Sequence, residues 1–170
     1  MKSHAKERQL VWLGFGVIAG LCLAYLWPHE QVLASATDRD AKFAICTVEV
    51  GPGLPDAVFV LDFSTGRLQG ALLNPQSQSF TNFWFANVAQ DFKVRSNGKY
   101  TIIPGQGFLN AGAANQGTGQ AVATGVLYVA EVTSGMVGCY RFGYVNSPNP
   151  LPPSALQPVD VFPFRESQTK

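Results

Sequence analysis

The sequence predicts a mainly β protein in which an N-terminal transmembrane helix precedes a small, duplicated antiparallel β domain. Three observations lead to this fold class. Residues 10–27 form an uncharged apolar run, one phrase occurs twice, and only part of residues 86–92 shows a helical period after residue 36. An apolar run of this length is typical of a membrane span, and paired apolar runs around a glycine are typical of β-hairpins.

These patterns divide the chain into six segments. The residues from Thr37 onward number 134, which suffices for one domain with a hydrophobic core and is too few for two ordinary ones. The predicted segments are a basic N-terminal segment (1–9), the transmembrane helix (10–27), a linker (28–42), β repeat 1 (43–95), β repeat 2 (96–145) and a proline-rich C-terminal strap (146–170).

The apolar run from Leu10 to Trp27 is expected to anchor the chain in membrane lipid. It holds 18 uncharged residues, close to the ~20 helical residues that span a hydrocarbon core of roughly 30 Å. Basic residues precede the run, which favours a cytoplasmic N-terminus and a periplasmic β domain. The alternative is a signal peptide cleaved after Ala36, giving a secreted protein. The distance between that site and Trp27 disfavours cleavage.

Charge and histidine content narrow the functional classes. The residues from Thr37 onward carry nine basic and nine acidic side chains, so no nucleic-acid partner is expected. Both histidines, His4 and His29, flank the apolar run, and the segment predicted to be exported contains none. This argues against a Ser-His-Asp triad, a Cys-His pair and a histidine-ligated metal. We therefore expect no catalytic residue, no cofactor and no metal site.

A duplicated phrase indicates the structure of the exported part. Residues 58–72, VFVLDFSTGRLQGAL, align with residues 127–141, LYVAEVTSGMVGCYR. Each copy predicts a β-hairpin in which a glycine adopts a positive φ and an acid accepts hydrogen bonds from the turn. Flanking apolar segments extend each unit to a strand, a hairpin and a further strand. The residues predicted to stabilise the two turns are Asp62, Gly66, Glu131 and Gly135.

Both phrases resemble the blades of quinoprotein-like and related β-propellers. A propeller needs at least about four blades, so two units cannot close the ring within one chain. The units are expected to pair in a propeller-blade-like arrangement, a sandwich or a barrel, or to share sheets with other subunits. The whole chain also resembles a group of uncharacterised exported, membrane-anchored proteins of planctomycete bacteria, through phrases such as AVFVLDFSTGRL and VFPFRE. This resemblance implies an exported location and does not suggest an activity.

Cys46 and Cys139 lie in the predicted exported part and leave two alternatives open. In an oxidising compartment they form a disulfide that closes a long loop. Otherwise they are buried free thiols, since each lies in an apolar, strand-like run. The sequence contains no C-x-x-C motif, so a thiol oxidoreductase is not expected.

Two segments are candidates for binding. In strand geometry Phe83 and Phe85 share one face and Trp84 points to the other, so one face belongs to the core. The other is a candidate for stacking on a sugar or contacting a protein, and Trp84 is the candidate binding residue. Residues 105–125 are uncharged and rich in glycine, which predicts a surface connection able to serve as a binding element.

Residues 146–164 contain six prolines and predict an extended strap.

Three hypotheses follow. The favoured one is a non-enzymatic envelope protein whose β domain is an interaction or assembly module for itself or for other envelope proteins. The second is a glycan-binding module that uses Trp84 or residues 105–125. The third is a hydrolase built on Asp62 and Glu131, which requires both carboxylates in one cleft. A role in the turns explains both acids without a cleft.

Overall fold

The computed structural model describes residues 37–94, 98–107 and 121–165, together with residues 12, 14, 16–18, 20 and 22. The last group lies in the apolar run and has helical backbone. Most of the predicted transmembrane helix, the cleavage site at Ala36 and most of residues 105–125 lie outside the described residues. Within those that are described, no helix is long and apolar enough to cross a membrane.

The chain divides into two units, Met1–Leu33 and Ala34–Lys170, and the second unit is mainly β, as predicted. The described strands and the single short helix that follows β5 are β1 (Thr37–Arg39), β2 (Phe43–Val48), β3 (Ala57–Asp62), β4 (Arg67–Asn74), β5 (Ser79–Asn87), α1 (Val88–Asp91), β6 (Tyr100–Gln106), β7 (Ala121–Val122), β8 (Gly125–Glu131), β9 (Met136–Arg141), β10 (Gly143–Tyr144), β11 (Ser154–Ala155) and β12 (Gln157–Pro163).

The strands of the second unit form two larger sheets and one small pair. The six-stranded sheet has the order β1-β2-β3-β4-β5-β11, the four-stranded sheet has the order β12-β9-β8-β6, and β7 pairs with β10. Neighbouring strands are antiparallel except β11, which runs parallel to β5. Strands β2 to β5 therefore form one four-stranded meander, and β6, β8, β9 and β12 form another.

The two meanders share their register as well as their sequence phrase. The first residue of each meander is aromatic and lies opposite the acid that ends the next strand. Phe43 pairs with Asp62, and Tyr100 pairs with Glu131. The aromatic residues are 57 positions apart and the acids 69, because a longer connection precedes the second hairpin.

Both larger sheets contribute to one hydrophobic core. Phe59, from the first meander, has its ring centroid 5.6 Å from that of Trp84 and 5.0 Å from that of Phe142. Phe63, in the first hairpin turn, lies 6.2 Å from Tyr100 of the four-stranded sheet. Because the inner surfaces of the sheets share this core, their outer surfaces face away from each other.

The proline-rich segment joins the free edges of the two sheets. Strand β11 adds to β5, and β12 adds to β9. Between them Leu156 is 4% exposed, and its N–H donates to the carbonyl of Phe85 at 2.9 Å. Proline is tolerated in such edge strands because one side of the strand has no ladder to complete. The strap thus covers one side of the core.

Candidate functional site

The outer surface of the six-stranded sheet carries apolar side chains. Because side chains alternate along a strand, the neighbours of buried core residues point outward. Val60 lies opposite Gln69, which lies opposite Phe85, and the exposed fractions of Val60 and Phe85 are 36% and 49%. We call this surface the groove face; it consists of Val58, Val60, Gln69, Ala71, Phe83 and Phe85.

A half-open cavity of about 890 Å³ lies over the groove face. Pro153, Ala155 and Pro158 of the strap line one side of it, and Gln90 and Asp91 of α1 also line it. Ligand-binding clefts typically enclose roughly 300–1,000 Å³ and combine an apolar lining with a few polar groups. The cavity has the size and the mixed lining of such a cleft.

The polar part of the cavity contains side chains with unused hydrogen-bonding capacity. Arg67 and Gln69 line the cavity, and neither side chain forms a hydrogen bond or an ion pair within the described chain. Asp91 uses one carboxylate oxygen to accept the Tyr140 hydroxyl at 2.8 Å. A cation, an amide and a carboxylate thus border the apolar floor and are available to a partner.

Trp84, the residue predicted for a binding surface, is buried, and that assignment is wrong. Its side chain is 2% exposed, lies almost parallel to Phe59 and donates its indole N–H to the carbonyl of Gly143 at 2.8 Å. The alternation within the aromatic cluster was predicted correctly, but the face chosen for binding was not. Phe83 and Phe85 occupy the outer surface because Trp84 fills the core.

The first hairpin turn is held by the carboxylate of Asp62. Oδ1 accepts the N–H of Ser64 at 2.8 Å and its hydroxyl at 2.6 Å, and Oδ2 accepts the hydroxyl of Thr65 at 2.9 Å. These bonds, with that from the Ser64 hydroxyl the largest, lower the pKa of the Asp62 carboxyl. Gly66 adopts a φ of 65° and donates its N–H to the Asp62 carbonyl.

The second hairpin turn is held by a buried carboxylate. Glu131 is 0% exposed, and its Oε1 accepts the N–H of Thr133 at 2.9 Å and that of Lys99 at 3.0 Å. Oε2 accepts the N–H of Ser134. Burial raises the pKa of the Glu131 carboxyl, but these donors outweigh it and lower the pKa to about 2. Gly135 follows with a φ of 68°.

Asp62 and Glu131 lie at separate turns. Each carboxylate accepts hydrogen bonds from its own turn, and neither lines the cavity over the groove face. Hydrolysis of a glycosidic bond needs two carboxyl groups ~5–10 Å apart on either side of the substrate. The turn contacts account for both acids, and the cavity over the groove face offers neither to a substrate.

The disulfide alternative for Cys46 and Cys139 is wrong, since both are free thiols. Cys46 faces the core from β2, where burial raises the pKa of its thiol to about 12. Cys139 lies on the outer side of β9, near Tyr128 and Asp160. The two sulfur atoms are therefore on different sides of the four-stranded sheet.

The outer surface of the four-stranded sheet is also partly apolar. One row crosses β6, β8, β9 and β12, and Phe162 lies opposite Val137 in the next row. Phe162 is 55% exposed. We call this surface the second face; it consists of Ile103, Tyr128, Val137, Cys139, Asp160 and Phe162.

The chain matches no protein-family model, no curated protein and no solved structure. The similarity to planctomycete exported proteins and to propeller blades therefore stays a prediction. The groove face and the second face are the features of the molecule that point to a function.

Sequence reasoning missed two polar residues that line the cavity. Arg67 and Gln69 belong to the duplicated phrase, and the register of the hairpin, counted outward from Gly66, places Gln69 opposite Val60. This count uses the sequence alone, and it would have identified the residues that point outward from the sheet. The position of the strap was not available, because nothing local indicates which sheet edges it joins.

Proposed function

We propose that this chain is a membrane-anchored envelope protein whose β domain binds a protein partner through the groove face and is not an enzyme. The observation that carries this proposal is the cavity of about 890 Å³, whose floor exposes Val60 and Phe85. Val60 and Phe85 lie outside the aromatic core of the domain, which packs without them.

The composition of the groove face favours a protein as the partner. The centres of protein interfaces are apolar and enriched in aromatic residues and arginine, and their rims are polar. The groove face contains Phe85, and Arg67 and Asp91 belong to the polar lining of the cavity over it. A contiguous exposed apolar patch of this kind marks an interaction site more often than an inert surface.

The location proposed for the domain rests on the sequence. Residues 10–27 are uncharged, apolar and preceded by basic residues, which supports an anchor with the β domain on the periplasmic side. The balance of nine basic and nine acidic residues after residue 36 supports a protein or neutral partner rather than nucleic acid.

An envelope glycan is the second candidate partner. Phe85 exposes its ring beside Gln69 and near Arg67, and sugars bind where an aromatic ring meets amide and charged side chains. Phe85 takes this role in place of Trp84, the residue predicted from the sequence, because Trp84 is buried.

Photo-crosslinking tests the proposal directly. A photo-reactive phenylalanine analogue is placed at Phe85 in the full-length chain, in native cells, and at the exposed turn residue Gln76 as a control. Phe85 lines the cavity and Gln76 does not. We expect protein adducts from position 85 and few from position 76. No protein adduct from position 85, with wall-polysaccharide binding lost in Phe85→Ala, would replace the protein partner by a glycan.

A further inference from the structure

We infer that the groove face of one copy of this chain binds the second face of another copy, so that copies associate head to tail. This inference rests on the proposed function and names the partner. It rests on the positions of the two faces, on their charges and on the kind of contact that would join them.

The two faces lie on opposite sides of one core and have the same architecture. Each is the outer surface of a four-stranded antiparallel meander, and each exposes a phenylalanine: Phe85 at 49% and Phe162 at 55%. Within one copy the inner surfaces of these meanders already pack together. Sheets pack face to face through apolar side chains, and both outer surfaces expose such side chains.

The charges on the two faces permit this contact. Arg67 and Asp91 line the groove, and Arg141 and Asp160 lie on the outer side of the four-stranded sheet. Each face thus offers one cation and one anion to the other. The nine basic and nine acidic residues after residue 36 also cancel, so copies do not repel each other through net charge.

The contact is heterologous, because it joins two different surfaces. Each added copy leaves one groove face and one second face unoccupied, so assembly continues to a closed ring or a filament. A contact between two groove faces would instead be isologous and would stop at a dimer. The size of the assembly and the effect of single substitutions therefore separate the two arrangements.

Three matched variants of the full-length chain, purified in mild detergent, test the inference by native mass measurement over a range of concentrations. Phe85→Glu charges the groove face, Phe162→Glu charges the second face, and Gln76→Glu adds the same charge at an exposed turn residue that belongs to neither face. We expect wild type and Gln76→Glu to form trimers or larger species. Phe85→Glu and Phe162→Glu should each weaken association by at least about 30-fold, the effect of losing one interface hot spot.

Mixing the two disabled variants gives the decisive result. Phe85→Glu retains an intact second face and Phe162→Glu an intact groove face, so the mixture should form a heterodimer that grows no further. Association of Phe162→Glu at the wild-type level would overturn the inference in favour of a groove-to-groove dimer. Circular dichroism and thermal melting of each variant identify any loss that comes from unfolding.

Failure of this inference is distinguishable from failure of the proposed function. If the wild-type chain is a monomer at every concentration, the self-association is wrong. If position 85 then still crosslinks to a different envelope protein in cells, the groove face remains an interaction surface. If neither occurs, both proposals are wrong.

Discussion

The two hairpin turns share one phrase of sequence but use their acids differently. Asp62 is partly exposed and, among the described residues, accepts side-chain hydrogen bonds only from its own turn. Glu131 is 0% exposed and also accepts the N–H of Lys99, which precedes β6. The first acid closes a turn, whereas the second also holds the hairpin to the neighbouring strand.

One methylene group accounts for this difference. The longer side chain of Glu131 brings its carboxylate beyond the turn to a donor on the adjacent segment, and the site is sealed from solvent. A buried charge is tolerated only where donors surround it, and here three backbone N–H groups do so. The same position in a repeat can therefore carry a local role in one copy and a tertiary role in the other.

Removing the buried carboxylate should have the largest effect. Glu131→Ala leaves three N–H donors without an acceptor in a site closed to water, and we expect a loss of about 3 kcal/mol in the free energy of unfolding. Asp62→Ala should cost clearly less, because water replaces the carboxylate at the first turn. Urea unfolding of both variants measures the difference. Equal losses would show that the two acids have the same role.

Acid pH should weaken the second turn. The folded pKa of Glu131, about 2, lies below its ordinary value of 4.5, so its charge stabilises the fold above pH 4.5. This contribution is lost as pH falls from about 4.5 through 2, and we expect a decrease on the order of 2 kcal/mol. Unfolding measured against pH for wild type and Glu131→Gln tests this. A variant that keeps the full pH slope would contradict it.

Substituting the turn glycine should cost more stability at the first turn than at the second, which is the opposite of the order expected for the two acids. A Cβ at Gly66 would lie 2.4 Å from the Cβ of Ala89, whereas one at Gly135 would lie 2.9 Å from the exposed Arg165 side chain. Both positions have positive φ, so each alanine costs about 1 kcal/mol through strain. We expect Gly66→Ala to lose about 2 kcal/mol and Gly135→Ala about 1 kcal/mol. Thermal melting compares them, and a larger loss at Gly135 would be inconsistent with this packing.

Shortening the buried acid should have the smallest effect. Glu131→Asp keeps the charge and the donors of its own turn but withdraws the carboxylate from the N–H of Lys99. We expect a loss of about 1 kcal/mol, the value of one hydrogen bond. Amide hydrogen exchange at Lys99 should rise in this variant. Unchanged protection there would mean that the bond to Lys99 does not hold the segment.

The hairpins were predictable because their chemistry is local. An acid, hydroxyl residues and a glycine within a few positions specify a turn, and the flanking apolar runs specify its strands. The mainly β class followed from the same pattern and is confirmed by the structure. The order of strands around each hairpin also followed, since neighbouring strands in sequence are usually neighbours in a sheet.

The binding face was less predictable because it depends on packing between distant segments. Alternation separated Trp84 from Phe85 but did not show which side the second sheet covers. The burial of Trp84 depends on Phe142, and the wall of the groove depends on Pro153 reaching β5. Likewise, nothing near Cys46 indicates that a sheet separates it from Cys139, its partner in the disulfide alternative.

The mass of the full-length chain crosslinked in its native membranes tests the central claim, that the groove face is an interaction surface. Wild type and Phe85→Glu are compared after mild crosslinking. We predict that wild type gives species heavier than the 18.3 kDa single chain and that Phe85→Glu loses them. Wild type recovered only at 18.3 kDa, or heavier species unchanged in the variant, would contradict the claim.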